Sequence, residues 1–184
     1  MRRPHVALMM VGAIAAGAGC SDAPAPTQPA ALTVPVQVQT EMHEGEAHNH
    51  RTHLTGDAER PTPNDSRDQG QAIFKVSKDG TEIHYKLIAS NIQNITQAHI
   101  HCCANEEGTA GIVVWLYPSA PPLQLIPGRH SGVLAEGVIT QASLRGALMG
   151  QPLTALLENI RSGLAYVNVH TLQFPPGEIR GQIR

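Results

Sequence analysis

Aromatic residues are scarce in this chain of 184 residues: one Trp, three Tyr and two Phe, 3% of the total, none before Phe74. The large side chains that dominate a core are therefore missing from the first seventy or so positions, which places the folded part downstream of them. Charge of one sign is also lacking. Thirteen Lys and Arg stand against fifteen Asp and Glu, a formal net charge of -2. With no basic stripe to neutralise phosphates, nucleic acid is excluded as the expected partner. Long apolar runs are missing too. Val6 to Ile14 is too short to cross a bilayer, and no second run of spanning length follows, so no transmembrane helix is expected in the mature chain. Cysteines number only three, Cys20, Cys102 and Cys103, too few for a disulfide framework. No Ser-His-Asp elbow, phosphate-cradling glycine loop or dinucleotide fingerprint occurs, which favours a binding module over an enzyme.

What is present begins with a targeting pattern. Arg2 and Arg3 precede the apolar run, small residues Ala15 to Gly19 follow it, and Cys20 comes next. This is the layout of a signal peptide over 1–19, cleaved on export. Cys20 after small residues is similar to a bacterial lipobox, which implies a lipid on its thiol and a membrane anchor. Gly17 replaces the leucine usual at that point, so plain secretion stands as the alternative. Ser21 after the cysteine points to the outer membrane, with a periplasmic or extracellular location otherwise.

Residues 20–52 have the composition of a disordered tether. Ala23-Pro24-Ala25-Pro26, Gln28-Pro29 and Val34-Pro35 cannot bury enough apolar surface to offset the entropy of ordering. Its end concentrates His43, His48, His50 and His53 among Glu41, Glu44 and Glu46, either a loose metal-collecting tract or a polar spacer.

From residue 70 the pattern becomes strand-like. Ala72, Phe74 and Val76 alternate with polar neighbours, as do Ile83, Tyr85, Leu87 and Ala89, around an Asp79-Gly80 turn, a strong hairpin signal. Further strands are expected at Gln97–His101, Gly111–Tyr117 (apolar on both faces, hence central), Gly132–Ile139, Leu164–Thr171 and Gly177–Arg184. Pro118, Pro121, Pro122 and Pro127 are expected to keep the segment between them irregular. Leu153, Leu156, Leu157 and Ile160 repeat at i, i+3, i+4 and i+7, with Pro152 placed for N1 and Gly163 to stop the helix. The expected fold is all-β: an antiparallel β-sandwich or barrel of Greek-key type over 53–184, with one short helix.

His99 and His101 flank Ile100 in a strand. Side chains two apart share a face, roughly 6.5–7 Å apart, so both imidazoles can reach one ion. His170 shares its strand face with Tyr166 and Asn168, and adjacent strands would bring the three histidines together. Three neutral imidazoles suit copper or zinc. Histidines satisfied by carbonyls, or exposed on a polar face, are the plainer reading. Glu178 and Arg180, two apart on the last strand, would either brace the imidazoles or form an exposed ion pair worth under about 1 kcal/mol. Cys102-Cys103 could form a disulfide, supply extra metal ligands, bond another chain or remain free thiols.

Several strings resemble a known family. Leu54-Thr55-Gly56-Asp57-Ala58-Glu59-Arg60-Pro61 with Gly70-Gln71-Ala72-Ile73-Phe74 resembles the opening of the CHRD domain, first described as a repeat in chordin. Ala98-His99-Ile100-His101, Gly111-Ile112-Val113-Val114, Gly163 to Thr171, and Pro176-Gly177-Glu178-Ile179-Arg180-Gly181-Gln182-Ile183 match its later parts. The resemblance spans 53–184 and implies an exported protein. It leaves the biochemical role undefined. Cys102-Cys103, where a glycine-containing turn is usual, and Arg60, where an aliphatic residue is usual, depart from the pattern. The expected function is thus a cell-envelope CHRD-type protein holding copper or zinc. Its alternatives are a copper-dependent redox enzyme resembling superoxide dismutase, by analogy of the His-x-His strand pair alone, and a structural or adhesive extracellular domain without metal.

Overall fold

The computed structural model describes residues 49–104 and 108–184. The expected signal peptide, Cys20, His43 and His48 lie outside them. Seven strands and one helix follow in order: β1 Asn49–Leu54, β2 Gln69–Val76, β3 Ile83–Cys102, β4 Gly111–Tyr117, β5 Ile126–Ile139, α1 Leu153–Arg161, β6 Ala165–Thr171 and β7 Ile179–Gln182. Every pairing is antiparallel. The expected all-β class is therefore the observed one, and none of the described helices is long and apolar enough to cross a membrane.

The turn between β2 and β3 forms as its residues dictate. Asp79 accepts hydrogen bonds from the Ser77 and Thr81 hydroxyls at 2.6 and 2.9 Å, and Gly80 takes φ +69°. The carboxylate also accepts the Thr81 backbone N–H at 3.1 Å, the side-chain-to-backbone bonding that makes Asp-Gly a turn former. Val76 then faces Ile83 and the two strands zip in register to Gln69 and Ser90.

The two runs expected at 83–89 and 97–101 are one strand of 20 residues. Asn91 and Asn94, at φ +67° and +54°, absorb the irregularity between them; asparagine tolerates the left-handed region better than other side-chain-bearing residues. The pairing changes there. Before the irregularity β3 runs between β2 and β5, and after it between β4 and β6. From β2 the sheet continues through β1, and from β6 through β7. Thr55 and Arg180 exchange backbone hydrogen bonds of 3.0 Å each, and Arg51 and Arg184 do so at 2.9 and 3.1 Å. The ring β3-β2-β1-β7-β6 is thereby nearly closed into a barrel, which leaves few unpaired strand edges.

Other expectations shift in detail. The sheet starts at Asn49, so His50 and His53 belong to β1 rather than to a loose tract; His50 is buried and His53 exposed. Pro127 lies inside β5, which begins at Ile126. β4 is not central, for it pairs with β3 alone. Its two-faced apolarity has another cause: the Arg145 N–H bonds the Val113 carbonyl at 2.8 Å, and a short turn at 146–148 packs against the strand, with Ile112 O so close to Gly146 that a Cβ there would collide.

Helix α1 buries Leu153, Leu156, Leu157 and Ile160 as their spacing requires and packs on β3 and β6. Pro152 stands one place earlier than expected, at the N-cap, and Gly163 at φ +69° ends the helix. Fully buried Phe74, Leu54, Leu87, Ile92, Ile100 and Leu156 are among the centre of the core, each contributing on the order of 1.5–3 kcal/mol by leaving water.

Candidate metal centre

β6 is the one strand among those described in which every residue is buried. Val167 and Val169 belong to the apolar core, and the opposite face, Tyr166, Asn168 and His170, is 3–6% exposed. β3 lies beside it with His99 opposite Asn168 and His101 opposite Tyr166. Ile100 points into the core and the two histidines into the same buried polar face as His170. The sequence thus placed these side chains correctly, but burial of their face was not readable from alternation. It follows from residues outside β6 that lie against this face, among them Glu59, Ala110 and Pro175.

The donor nitrogens of His99, His101 and His170 all lie within 4.8 Å of one another. Nitrogens around a tetrahedral ion at ~2.1 Å sit roughly 3.4 Å apart. His99 Nδ1 and His170 Nε2, at 3.2 Å, already have that spacing. Two hydrogen bonds fix the tautomers. His170 Nδ1 lies 2.8 Å from the Pro175 carbonyl and His101 Nδ1 lies 2.9 Å from that of Ala110. A carbonyl only accepts, so both Nδ1 atoms carry the proton and both Nε2 atoms keep the lone pair. His99 Nδ1–H then donates to His170 Nε2 in the metal-free chain. His101 Nε2 and His99 Nε2 are buried without a hydrogen-bond partner, a costly state for polar atoms. The donor set and the unpartnered lone pair of His101 fit a bound cation.

Electrostatics keeps the three rings neutral. Burial pushes His99 down to about 3, helped by His170 and His101 beside it. Burial also lowers His170 to about 4, against the pull of the Pro175 carbonyl. His101 is lowered by burial, with the Ala110 carbonyl and the Asn168 side chain opposing and the Arg180 charge assisting.

Aromatic walls hold the rings. Trp115 stands perpendicular to His99 with centroids 4.4 Å apart, and Tyr166 stacks on His101 at 4.8 Å. The Tyr166 hydroxyl accepts the Ala110 N–H at 3.2 Å, so it also positions the carbonyl that orients His101. Arg180 lies 3.4 Å from the Tyr166 ring centroid, a cation–π contact. Of the expected bracing pair, Arg180 therefore reaches His101 through Tyr166. Glu178 does not: its carboxylate, one residue before β7, accepts from Thr171 Oγ1 of β6 at 2.6 Å and from Ser66 Oγ, just before β2, at 2.8 Å. Nor are the two an exposed ion pair, since both are 5% exposed. Cys102 and Cys103 are bonded to each other, and Cys102 belongs to the core, so neither joins the histidine group.

The family model of the CHRD domain matches residues 50–183. The chain belongs to the CHRD family. No curated protein and no solved structure matches it. CHRD domains occur in extracellular and secreted proteins, which supports export in general terms.

Two residues of this CHRD domain's site were missed in the sequence. Trp115 looked like another apolar position of its strand. Glu59 sits in the segment after β1, 4% exposed, and burial raises it to about 7 although Arg180, Arg60 and Asn168 pull it down. Its carboxylate fills the space where a Cβ on Gly177 would stand, so the invading acid explains the glycine. No local pattern distinguishes Glu59 from a surface acid, because its neighbours come from β6 and β7.

Proposed function

We propose that this chain is an exported cell-envelope CHRD-domain protein that holds one transition-metal ion, copper or zinc, through His99, His101 and His170. The observation that carries the reading is the commitment of two Nδ1–H groups to backbone carbonyls, which leaves Nε2 lone pairs facing a shared point beside His99. Neutral imidazoles are the form that ligates, and hydrogen-bonded Nδ1 atoms are the usual way such rings are oriented. The ion would supply Lewis acidity or, for copper, a one-electron couple. Three protein ligands leave a coordination position for another group.

The N-terminal segment is read as an export signal and Cys20 as the lipid attachment point, which would hold the domain at a membrane surface. Metabolic labelling with a fatty acid tests this: label lost with Cys20→Ser supports the anchor, and an unlabelled native chain removes it.

Elemental analysis tests the metal reading. The full chain should carry His43→Ala and His48→Ala, so that histidines before the barrel do not hold metal themselves. About one equivalent of copper or zinc is expected, and its loss in the His99→Ala/His101→Ala protein. Metal content unchanged by those two substitutions would sink the reading. Copper-loaded protein inert toward superoxide would dispose of the redox-enzyme alternative while leaving the binding function intact.

A further inference from the structure

Cys102 is the last residue of β3, 2% exposed, and it faces Gly111 of β4 and Ala165 of β6. Cys103 is exposed and takes φ +68°. Their sulfurs are bonded. Ala110, just before β4, gives its carbonyl to the His101 Nδ1–H and its N–H to the Tyr166 hydroxyl. The disulfide therefore stands at one root of the β3–β4 connection, and the carbonyl that orients His101 stands at the other. Ala104 N–H, bonded to the Leu164 carbonyl at 3.3 Å, is the first backbone tie after the disulfide.

From this arrangement we propose that Cys102–Cys103 is a thiol–disulfide exchange site addressed by a dithiol, and that its state sets how firmly His101 is held for metal. The second half rests on the metal reading above; the first does not. One thiolate of the dithiol attacks the exposed Cys103 sulfur, forming a mixed disulfide and releasing Cys102 as a thiolate that takes up a proton. The second thiol of the reductant then displaces Cys103, which is protonated in turn. The products are two protein thiols and an oxidised dithiol, with two electrons and two protons transferred.

The structural consequence follows from the backbone. A left-handed φ is unfavourable at a residue other than glycine, and the bond between neighbouring sulfurs helps hold Cys103 there. Once it opens, Cys103 is free to leave that conformation, and the end of β3, where Cys102 follows His101 and pairs with Gly111 beside Ala110, loses that tie. The Ala110 carbonyl then holds the His101 tautomer less tightly. Loss of such an orienting partner typically weakens a metal site ten- to a hundredfold. Cys102 faces the core, so its freed thiol is not placed to compensate as a ligand.

The experiment compares the full chain with His43→Ala and His48→Ala in two states: as isolated in air, and after treatment with dithiothreitol and removal of the reagent under argon. Mass analysis of the tryptic peptide that follows Lys86 and ends at Arg129 reads the exchange directly. A gain of two hydrogens on reduction is expected, and two free thiols in the air-isolated chain would overturn the site. Cobalt(II) titration reads the coupling. Binding weaker by at least about tenfold in the reduced chain, and in the Cys102→Ser/Cys103→Ser chain whatever its treatment, upholds the proposal. Equal affinity in both states, or thiolate-to-cobalt absorption on reduction, overturns it. Should the double variant fail to fold, the reduced native sequence decides. If neither state binds cobalt, the metal reading falls, and nitrogen-15 couplings of His101 still judge the switch. Nδ1–H when oxidised and a tautomer mixture when reduced uphold it; one unchanged tautomer refutes it.

Discussion

Tyr166 lies flat on His101, the ring planes 2° apart, while its hydroxyl bonds the same alanine whose carbonyl orients that imidazole. One side chain thus fixes both the plane and the tautomer of His101. The face that bears Tyr166 on β6 is as buried as the apolar face behind it, so a polar cluster of the kind that is costly to leave unpaired lies on the side of the sheet opposite the apolar core.

Replacing Tyr166 separates its two roles. Tyr166→Phe keeps the stack and loses the hydroxyl, and zinc affinity is expected to fall by less than about tenfold. Tyr166→Leu loses both and also the platform under Arg180, with an expected loss of ten- to a hundredfold. Competition titration against a chromophoric zinc chelator measures both. Equal affinities of Tyr166→Leu and native protein would mean the stack does nothing for the site.

Acid should unfold the metal-free domain earlier than carboxylates alone would. His99 and His170 have folded values of about 3 and 4, below the ordinary 6.5. The unfolded chain therefore binds more protons between about pH 6.5 and pH 3, and stability falls as pH drops through that window. Urea unfolding in the presence of EDTA at pH 7, 6, 5 and 4 reads this slope. His170→Gln removes one titrating ring and is expected to flatten it. An equally steep slope in that variant would contradict the burial argument.

Glu59 contributes with the opposite sign. Its folded value of about 7 exceeds the ordinary 4.5, so the folded chain keeps a proton that the unfolded chain has lost. Stability from this group declines as pH rises from about 4.5 to 7 and then levels. Glu59→Gln carries no such penalty. Its stability relative to native protein should improve by on the order of 2 kcal/mol between pH 5 and pH 8. Denaturant midpoints at the two pH values measure the change, and a pH-independent difference would speak against a buried, proton-holding acid.

Gly177→Ala should be among the most damaging small substitutions. The residue has φ +141° and its added methyl would overlap the Glu59 carboxylate. A loss of roughly 2 kcal/mol or more is expected from strain and displacement together. Combining it with Glu59→Ala should recover the part due to overlap. Thermal denaturation of the single and double variants distinguishes the two causes, for no recovery would assign the whole cost to the backbone.

Leu156→Ala tests whether the helix is merely structural. The side chain is fully buried in the cluster between α1 and the sheet, and truncation is expected to cost about 2–5 kcal/mol. Metal affinity of the folded fraction should be unchanged. An accompanying loss of metal at temperatures where the variant is fully folded would place α1 in the site's support.

Local pattern alone determined much of this protein. Period-two alternation around Asp79-Gly80, the i, i+3, i+4, i+7 leucines of α1, and the His-x-His pair with His170 on a matching strand face were all legible, because each depends on neighbours within a few residues. What the tertiary structure decided depends on partners far apart in the chain. Ser90-Asn91 and Gln93-Asn94 interrupted the strand pattern, yet pairing with β2, β5, β4 and β6 carries β3 through as one. β1 held too few apolar residues to announce itself and exists because β2 and β7 satisfy its backbone. Val113 and Val114 signalled a central strand, when an edge strand covered by a turn buries them equally well. Most decisively, the alternation of β6 marked Tyr166, Asn168 and His170 as one face but could not say whether that face met water. Segments from far along the chain lie against it, with Glu59 at Gly177 and the Ala110 and Pro175 carbonyls on the imidazoles, and that burial keeps the rings neutral and leaves lone pairs where a cation fits.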